Sequence, residues 1–312
     1  MAKRVVISGA TGFIGQVLCQ YLQGDYEVVA LSRDARKGEI LVGEFAKVVE
    51  WDARTASNWA SQVEGASAIV NLAGENIASG RWTPSKRAGI VQSRTNSALA
   101  VVDAVSGAKK KPAVVIQGSA VGYYGSRGDE TLEEDSAAGT TFLAGVCKRT
   151  EATVARVERS GVRCVAIRSG AVLGSYGGML PKIMTPFRFF LGGRVGSGRQ
   201  WLPWISLTDE VRAIRFLMEQ PSLNGAFNLT SPNPTTMKQF TKAMGRVLHR
   251  PAWTVLPDFA ARLAVGQMAD EVLLASERVI PRRLKEAGFE FAYPDVRDAL
   301  RAIIEGEDDE SG

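Results

Sequence analysis

A short apolar run, Val5 to Ile7, breaks after Ser8 into three glycines spaced Gly9-x-x-Gly12-x-x-Gly15. A strand that ends in such a turn and opens directly into a helix has few folds available to it. Gly9 permits the tight turn, Gly12 lets the backbone approach a pyrophosphate, and Gly15 lets the helix pack closely on the strand while its N-terminal amides face the phosphates. The spacing predicts a dinucleotide site at the start of the chain, with Gly9, Thr11, Gly12, Phe13 and Ile14 in its phosphate-binding turn.

Strand-like runs rich in Val and Ile recur at 4–8, 27–32, 46–50, 67–73, 113–118 and 163–168, with helix-compatible stretches between several of them. Pro84 fits the first turn of a helix reaching about Val105, and residues 141–160 form another that Gly161 stops. Alternation of this kind predicts an α/β fold: a Rossmann-type doubly wound parallel sheet over residues 1–170. After Gly170 glycines and aromatics crowd together up to Trp204, and the reading becomes a smaller C-terminal substrate lobe, residues 171–304, partly interleaved with the core. Within it we expect a helix at 208–219, a strand at 226–229, a helix at 236–248, a strand at 253–256 and a final helical region. Residues 305–312 read as an acidic tail.

With 45% hydrophobic residues in 312, the chain can bury a large core. Its net charge of +5 is dispersed, and the Lys109-Lys110-Lys111 run reads as a solvated loop, so no nucleic-acid partner is expected. Three cysteines without ligand spacing (Cys19, Cys147, Cys164) and a single histidine (His249) argue against a structural zinc site and a Ser-His-Asp triad, and no metal is expected. Cys147 beside Lys148 reads as a small buried helix residue, with a reactive thiol as the alternative. No apolar stretch reaches the roughly 20 residues of a membrane span, so the expectation is a cytoplasmic protein without a membrane partner.

The second strand ends at Ser32 where an NAD site would place an acid, and Arg33, Arg36 and Lys37 follow. A hydroxyl and a guanidinium suit a 2′-phosphate, which points to NADP as cofactor with Ser32 and Arg33 at the adenosine ribose. Leu72, Ala73 and Gly74 close the fourth strand with small residues that let a cofactor lie against the backbone. Asp52 is either an acceptor for the adenine amine or an exposed strand-end acid.

These residues, together with Ser119-Ala-Val-Gly-Tyr-Tyr-Gly125, Arg168-Ser-Gly and Trp204-Ile-Ser-Leu-Thr-Asp209, resemble the extended short-chain dehydrogenase/reductases, the NAD(P)-dependent sugar epimerase and dehydratase superfamily. Asn71-Leu-Ala-Gly-Glu-Asn-Ile77, Arg81-Trp82, Pro203-Trp204-Ile205, Gly266-Gln-Met-Ala, Arg278-Val-Ile-Pro281 and Ala287-Gly-Phe289 resemble its atypical subgroup of epimerase family proteins, which has its own C-terminal domain. The resemblance implies a Tyr-x-x-x-Lys pair, in which the lysine lowers the phenol pKa and holds the nicotinamide ribose. Lys148 takes the lysine position, but Ala144 stands where the tyrosine belongs. Tyr123 is then the nearest replacement phenol, Tyr124 matches a structural tyrosine, and Ser119 lies one residue from the usual serine site, which Ala120 occupies. Arg94 either reaches the cofactor phosphates or is an exposed helix arginine, and Val172 lines the nicotinamide or belongs to the core.

For the substrate side, Glu75–Trp82 and Gly193–Trp204 form the expected roof. Arg81, Arg194 and Arg199 suit an anionic small molecule, and Trp82, Trp201 and Trp204 offer either flat apolar surfaces or lobe packing. Two functions fit: an NADP-dependent oxidoreductase or epimerase acting on a small polar metabolite, or a non-enzymatic NADP(H)-binding redox sensor.

Overall fold

The computed structural model describes residues 3–306, so residues 307–312 of the expected tail lie outside it. The chain opens with β1 (Lys3–Ser8), α1 (Phe13–Leu22), β2 (Tyr26–Ser32), α2 (Ala35–Val42), β3 (Lys47–Glu50), β4 (Ala68–Asn71), α3 (Pro84–Gly107) and β5 (Val114–Ala120). Local chemistry sets the helix starts: Asp34 caps α2 by accepting from the Lys37 amide, and Thr83 caps α3 ahead of Pro84. β6 (Thr131–Leu132), α4 (Phe142–Val154), β7 (Arg163–Ser169) and β8 (Ala171–Leu173) come next. Between α4 and β7 a 3₁₀ segment, Ala155–Ser160, ends at Gly161 with φ of 73°.

Four parallel pairings join β1 to β5, and a fifth adds β7, in the central sheet. Successive side chains of β1 alternate between its faces. Val5 and Ile7 join the apolar layer under α1, while Val6 joins the layer under α3 with Ile69, Val101, Val115 and Trp59.

The segment after Gly170 continues as α5 (Leu180–Arg188), β9 (Gly193–Val195), β10 (Trp201–Leu202), β11 (Trp204–Ser206), α6 (Leu207–Glu219) and β12 (Gly225–Leu229). It returns to the core twice. α6 packs its Val211, Ile214 and Leu217 into the same layer as α1, and β12 adds to β7 as a parallel edge strand. Residues 225–229, expected in the lobe, thus extend the sheet, because Phe227 and Leu229 bury their side chains in its core. The strand order is β12-β7-β5-β4-β1-β2-β3, and the direction of winding reverses between β1 and β4. Ligands of open α/β sheets bind at the carboxyl ends of the strands beside that reversal.

β13 (Thr235–Thr236), α7 (Met237–Val247), β14 (Thr254–Leu256), α8 (Asp258–Val265), β15 (Arg278–Val279), α9 (Arg282–Glu286) and α10 (Val296–Glu305) complete the chain. The last helical region is therefore broken into separate helices, with a π-helical turn at Ala269–Leu273. α5, α7 and α10 enclose a second core of Phe187, Trp204, Phe240, Met244 and Leu300. Parallel pairing of β15 with β6 and of β11 with β8 ties this lobe to the carboxyl edge of the sheet.

Candidate nucleotide-binding and active site

The turn after β1 has the backbone its glycines require. Gly9 adopts φ of 70°, and a Cβ there would lie 2.7 Å from the Leu72 carbonyl carbon and 2.9 Å from the Ala73 nitrogen. A Cβ on Gly15 would lie 2.7 Å from Ala10 Cα. The β1 turn and the end of β4 are thus in direct backbone contact, which only glycine allows. Gly12 caps α1 with no side-chain acceptor, leaving the first-turn amides of Phe13 and Ile14 without an intrahelical partner.

Four polar side chains fix this geometry from behind. Asn71, fully buried, accepts from the Ser8 hydroxyl and donates to Gln117 Oε1 at 2.8 Å and to Ser97 Oγ at 3.3 Å. The network spans β1, β4, β5 and α3, and each member satisfies the next, so the switch point is held rigid.

The expected cofactor residues divide into backbone and side-chain contributors. Phe13 packs its ring edge-on to Tyr176 at 5.6 Å and Ile14 packs into the sheet core, so what each offers a phosphate is its amide. Thr11 is half-buried beside them, and its carbonyl accepts from Gln16 at 3.1 Å. Ser32 is buried and donates to the Asp34 carbonyl at 2.7 Å, so its hydroxyl shapes the β2–α2 turn. Arg33 and Arg36, by contrast, are exposed and carry no ion pair or hydrogen bond among the described residues. Asp52 accepts the amides of Arg54 and Thr55 at 2.8 Å each, which holds its carboxyl below the usual range and commits it to a turn. The guanidinium of Arg94 lies across Gly74 and donates to the Glu75 carbonyl at 3.0 Å, on the wall of a small separate recess. Val172 sits on β8 and packs into the sheet core.

The expected catalytic residues lie on and around α4. Lys148 is exposed on the outer side of the helix with no partner among the described residues, because α4 buries Leu143, Ala144, Val146, Cys147 and Thr150 instead. Among the inward pairs four residues apart are Leu143 with Cys147 and Val146 with Thr150. Burial pushes the Cys147 thiol above its ordinary value, so it is a weak nucleophile, and it donates to the Ala120 carbonyl at 3.7 Å. Tyr123 does not face the cleft: its ring stacks on the Arg168 guanidinium, 3.5 Å away. Tyr124 is fully buried between Arg168 and Asn228, with hydrogen bonds of 3.0 and 2.7 Å, and burial pushes its phenol to about 12. Ser119 lines a small recess with Arg94, Ala120 and Cys147, and donates to Glu151 Oε1 at 2.5 Å.

A cleft of about 180 Å³ opens beside these residues at the ends of β5 and β7. Ile77, Val121, Leu143, Leu202, Pro203 and Met237 give it apolar walls, and Trp201 borders it. No lysine or arginine lines it among the described residues. The arginines expected to meet an anion lie elsewhere: Arg81 donates to the Leu263 carbonyl at 2.8 Å, Arg194 lines a basic groove with Lys238, Lys242 and Arg246, and Arg199 is exposed on a loop. Trp82 and Trp204 are buried packing residues.

Three carboxyls that carry no sequence motif adjoin the cleft. Glu271 caps α4, accepting the Phe142 and Leu143 amides at 3.3 and 2.9 Å. Glu277 is 6% exposed, and its Oε1 has no hydrogen-bond partner. Behind the wall residue Ser169 lies fully buried Glu210, which accepts the Ser169 hydroxyl at 2.6 Å. Burial pushes Glu277 up to about 7 and Glu210 up to about 8. The pattern that would have marked them is burial, which sequence does not display. Among the described residues no cluster of three or more His, Cys, Asp or Glu gathers to hold a metal.

Comparison with known proteins agrees with this geometry. Residues 5–230 match the NAD dependent epimerase/dehydratase family, and residues 256–303 match DUF1731, a domain of unknown function. The chain is 40% identical over 306 residues to the epimerase family protein SDR39U1 homolog, chloroplastic, of Arabidopsis thaliana, covering 96% of this chain and 86% of that protein. It is 37% identical to the epimerase family protein YfhF of Bacillus subtilis, covering 96% and 97% of the two chains. The crystal structure of human epimerase family protein SDR39U1 (isoform 2) with NADPH superimposes with a TM-score of 0.88 at 31% identity, over 97% of this chain and 99% of that one. With its glycine turn, reversed sheet and C-terminal segment accounted for, the chain belongs to the NAD dependent epimerase/dehydratase family and ends in a DUF1731 domain.

Proposed function

We propose that this protein binds NADP(H) at the β1 turn and acts as an oxidoreductase or epimerase on a small metabolite. The observation that carries the cofactor choice is the pair of unpartnered guanidiniums, Arg33 and Arg36, after β2, where an acid would repel a 2′-phosphate. The backbone contact of Gly9 with Leu72 and Ala73 fits a group that must lie flat against the strand ends. Gly9, Gly12, Phe13 and Ile14 would hold the pyrophosphate, Arg33 the 2′-phosphate and Arg94 the face toward the recess it lines with Ser119 and Cys147. When bound, the nicotinamide supplies or accepts hydride; the chain's own part is to orient it, exclude water with the apolar cleft walls, and move a proton. That the fold of the NADPH-bound human relative matches 97% of this chain supports this reading.

Absence of the tyrosine and lysine from the inward face of α4 favours a second reading, an NADP(H)-binding sensor without turnover. Oxidation of NADPH by wild type over a panel of aldehydes, ketones and sugar nucleotides separates the two. Turnover supports the enzyme. Tight binding with no oxidation across the panel supports the sensor, and no binding of NADPH at all contradicts both.

A further inference from the structure

The cleft holds two polar groups that the fold itself does not use. Gln200, 8% exposed, donates through Nε2 to the Val195 and Leu273 carbonyls at 2.9 and 3.3 Å, which fixes its amide orientation and leaves Oε1 buried without a partner. Glu277 is held at the cleft wall by its own backbone, its amide donating to the Trp201 carbonyl at 3.3 Å while Ser276 Oγ accepts the Trp201 amide at 3.1 Å. Its carboxyl carries no hydrogen bond or ion pair among the described residues. A buried polar atom left unpaired is costly, and two that face one cleft are available to a ligand that completes them.

The charged groups around Glu277 are all committed elsewhere. Glu271 is occupied by the α4 amides, the Arg278 guanidinium lies over the Trp201 ring at 4.8 Å, and Asp129 accepts the Trp201 indole N–H at 2.7 Å. Among the described residues no cation pairs with Glu277, and burial pushes its proton equilibrium up to about 7. An acid that is half protonated near neutral pH, on the wall of a largely apolar cleft, has the properties required of a general acid.

We propose that Glu277 is the proton donor of this site and that the substrate is a compact uncharged carbonyl compound whose hydroxyl or N–H meets Gln200. The assignment rests on the NADP(H)-dependent reading above. In the reductive direction the Glu277 O–H bond breaks as an O–H bond forms on the substrate oxygen, which keeps the carbonyl π pair. The hydride available from the bound nicotinamide accounts for the new C–H bond and the reduction of carbon. Glu277, left as carboxylate, regains its proton from solvent. That no lysine or arginine lines the walls among the described residues is what turns the substrate class from anionic to neutral.

The test follows the Glu277 carboxyl by carbon-13 NMR from about pH 5 to about pH 9, identifying its resonance by its loss in Glu277→Gln. NADPH binding and NADPH oxidation are measured alongside, over uncharged and carboxylated carbonyl compounds. The expected result is a midpoint near 7 in wild type, NADPH affinity within about twofold in the variant, and a loss of about 100-fold or more in turnover together with the alkaline limb of the pH profile. A midpoint near the ordinary glutamate value of about 4.3 overturns the assignment. So does a variant that keeps the wild-type rate and pH profile, or a preference for the carboxylated compounds. Wild type that binds NADPH and oxidises it with no carbonyl compound also overturns it, while leaving the cofactor site standing. Because the titration is read without cofactor, a failure to bind NADPH would count against the proposed function and not against the Glu277 midpoint.

Discussion

Arg168 grips Glu151 through two parallel hydrogen bonds, Nη2 to Oε2 at 2.9 Å and Nε to Oε1 at 3.1 Å, with Arg168 only 4% exposed. The same guanidinium donates to the Tyr124 hydroxyl and the Glu134 carbonyl, so one buried cation joins β7 and α4 to the loop after β5. Removing one partner leaves the other charged and uncompensated. Glu151→Ala is expected to lower stability by about 3 to 5 kcal/mol in urea unfolding. A loss below about 1 kcal/mol would show that the pair is solvated.

Glu210 and Glu277 make stability fall as the solution becomes alkaline. Both bind a proton more tightly folded than unfolded, so between their ordinary pKa of 4.5 and their folded values of about 8 and about 7 the native state carries the extra protons. Stability from this source is complete at acid pH and lost as pH rises through the folded values. Glu210→Gln should therefore match wild type near pH 5 and melt at a higher temperature near pH 9, as scanning calorimetry would record. Equal melting temperatures at both pH values would contradict the burial of an uncharged Glu210.

Lys148 sits on the solvent side of α4, and its substitution should be nearly silent. Lys148→Ala is expected to change stability by no more than about 0.5 kcal/mol and NADPH affinity by no more than about twofold. A large loss of affinity in fluorescence titration would place the lysine at the cofactor after all.

How much of this was legible in sequence depends on the range of the physics. The glycine turn, the helix start at Pro84 and the alternating strands are local, and the structure places them where their spacing indicates. The facing of Lys148 is not local: one residue on an α-helix is about 100° of rotation, and tertiary burial of Leu143 and Cys147 sets that phase. Glu277 was invisible for a related reason. Nothing in Ala275-Ser-Glu-Arg278 marks an acid as special until Trp201 closes over it. The lysine run at 109–111 shows the opposite case, in which a suggestive pattern is structural: the Lys109 and Lys110 amides bind Glu64, and Lys111 Nζ caps the carbonyls of Val105 and Ser106.

The central claim is that Arg33 selects the phosphorylated cofactor, and the most direct measurement is calorimetric titration of wild type and Arg33→Ala with NADPH and with NADH. A charge-assisted contact to the 2′-phosphate is worth about 1.5 to 3 kcal/mol, so wild type should prefer NADPH by about 10-fold or more. Arg33→Ala should lose most of that preference while its NADH affinity stays within about twofold. Equal affinities for the two cofactors in wild type, or a preference that survives the substitution unchanged, would contradict the account.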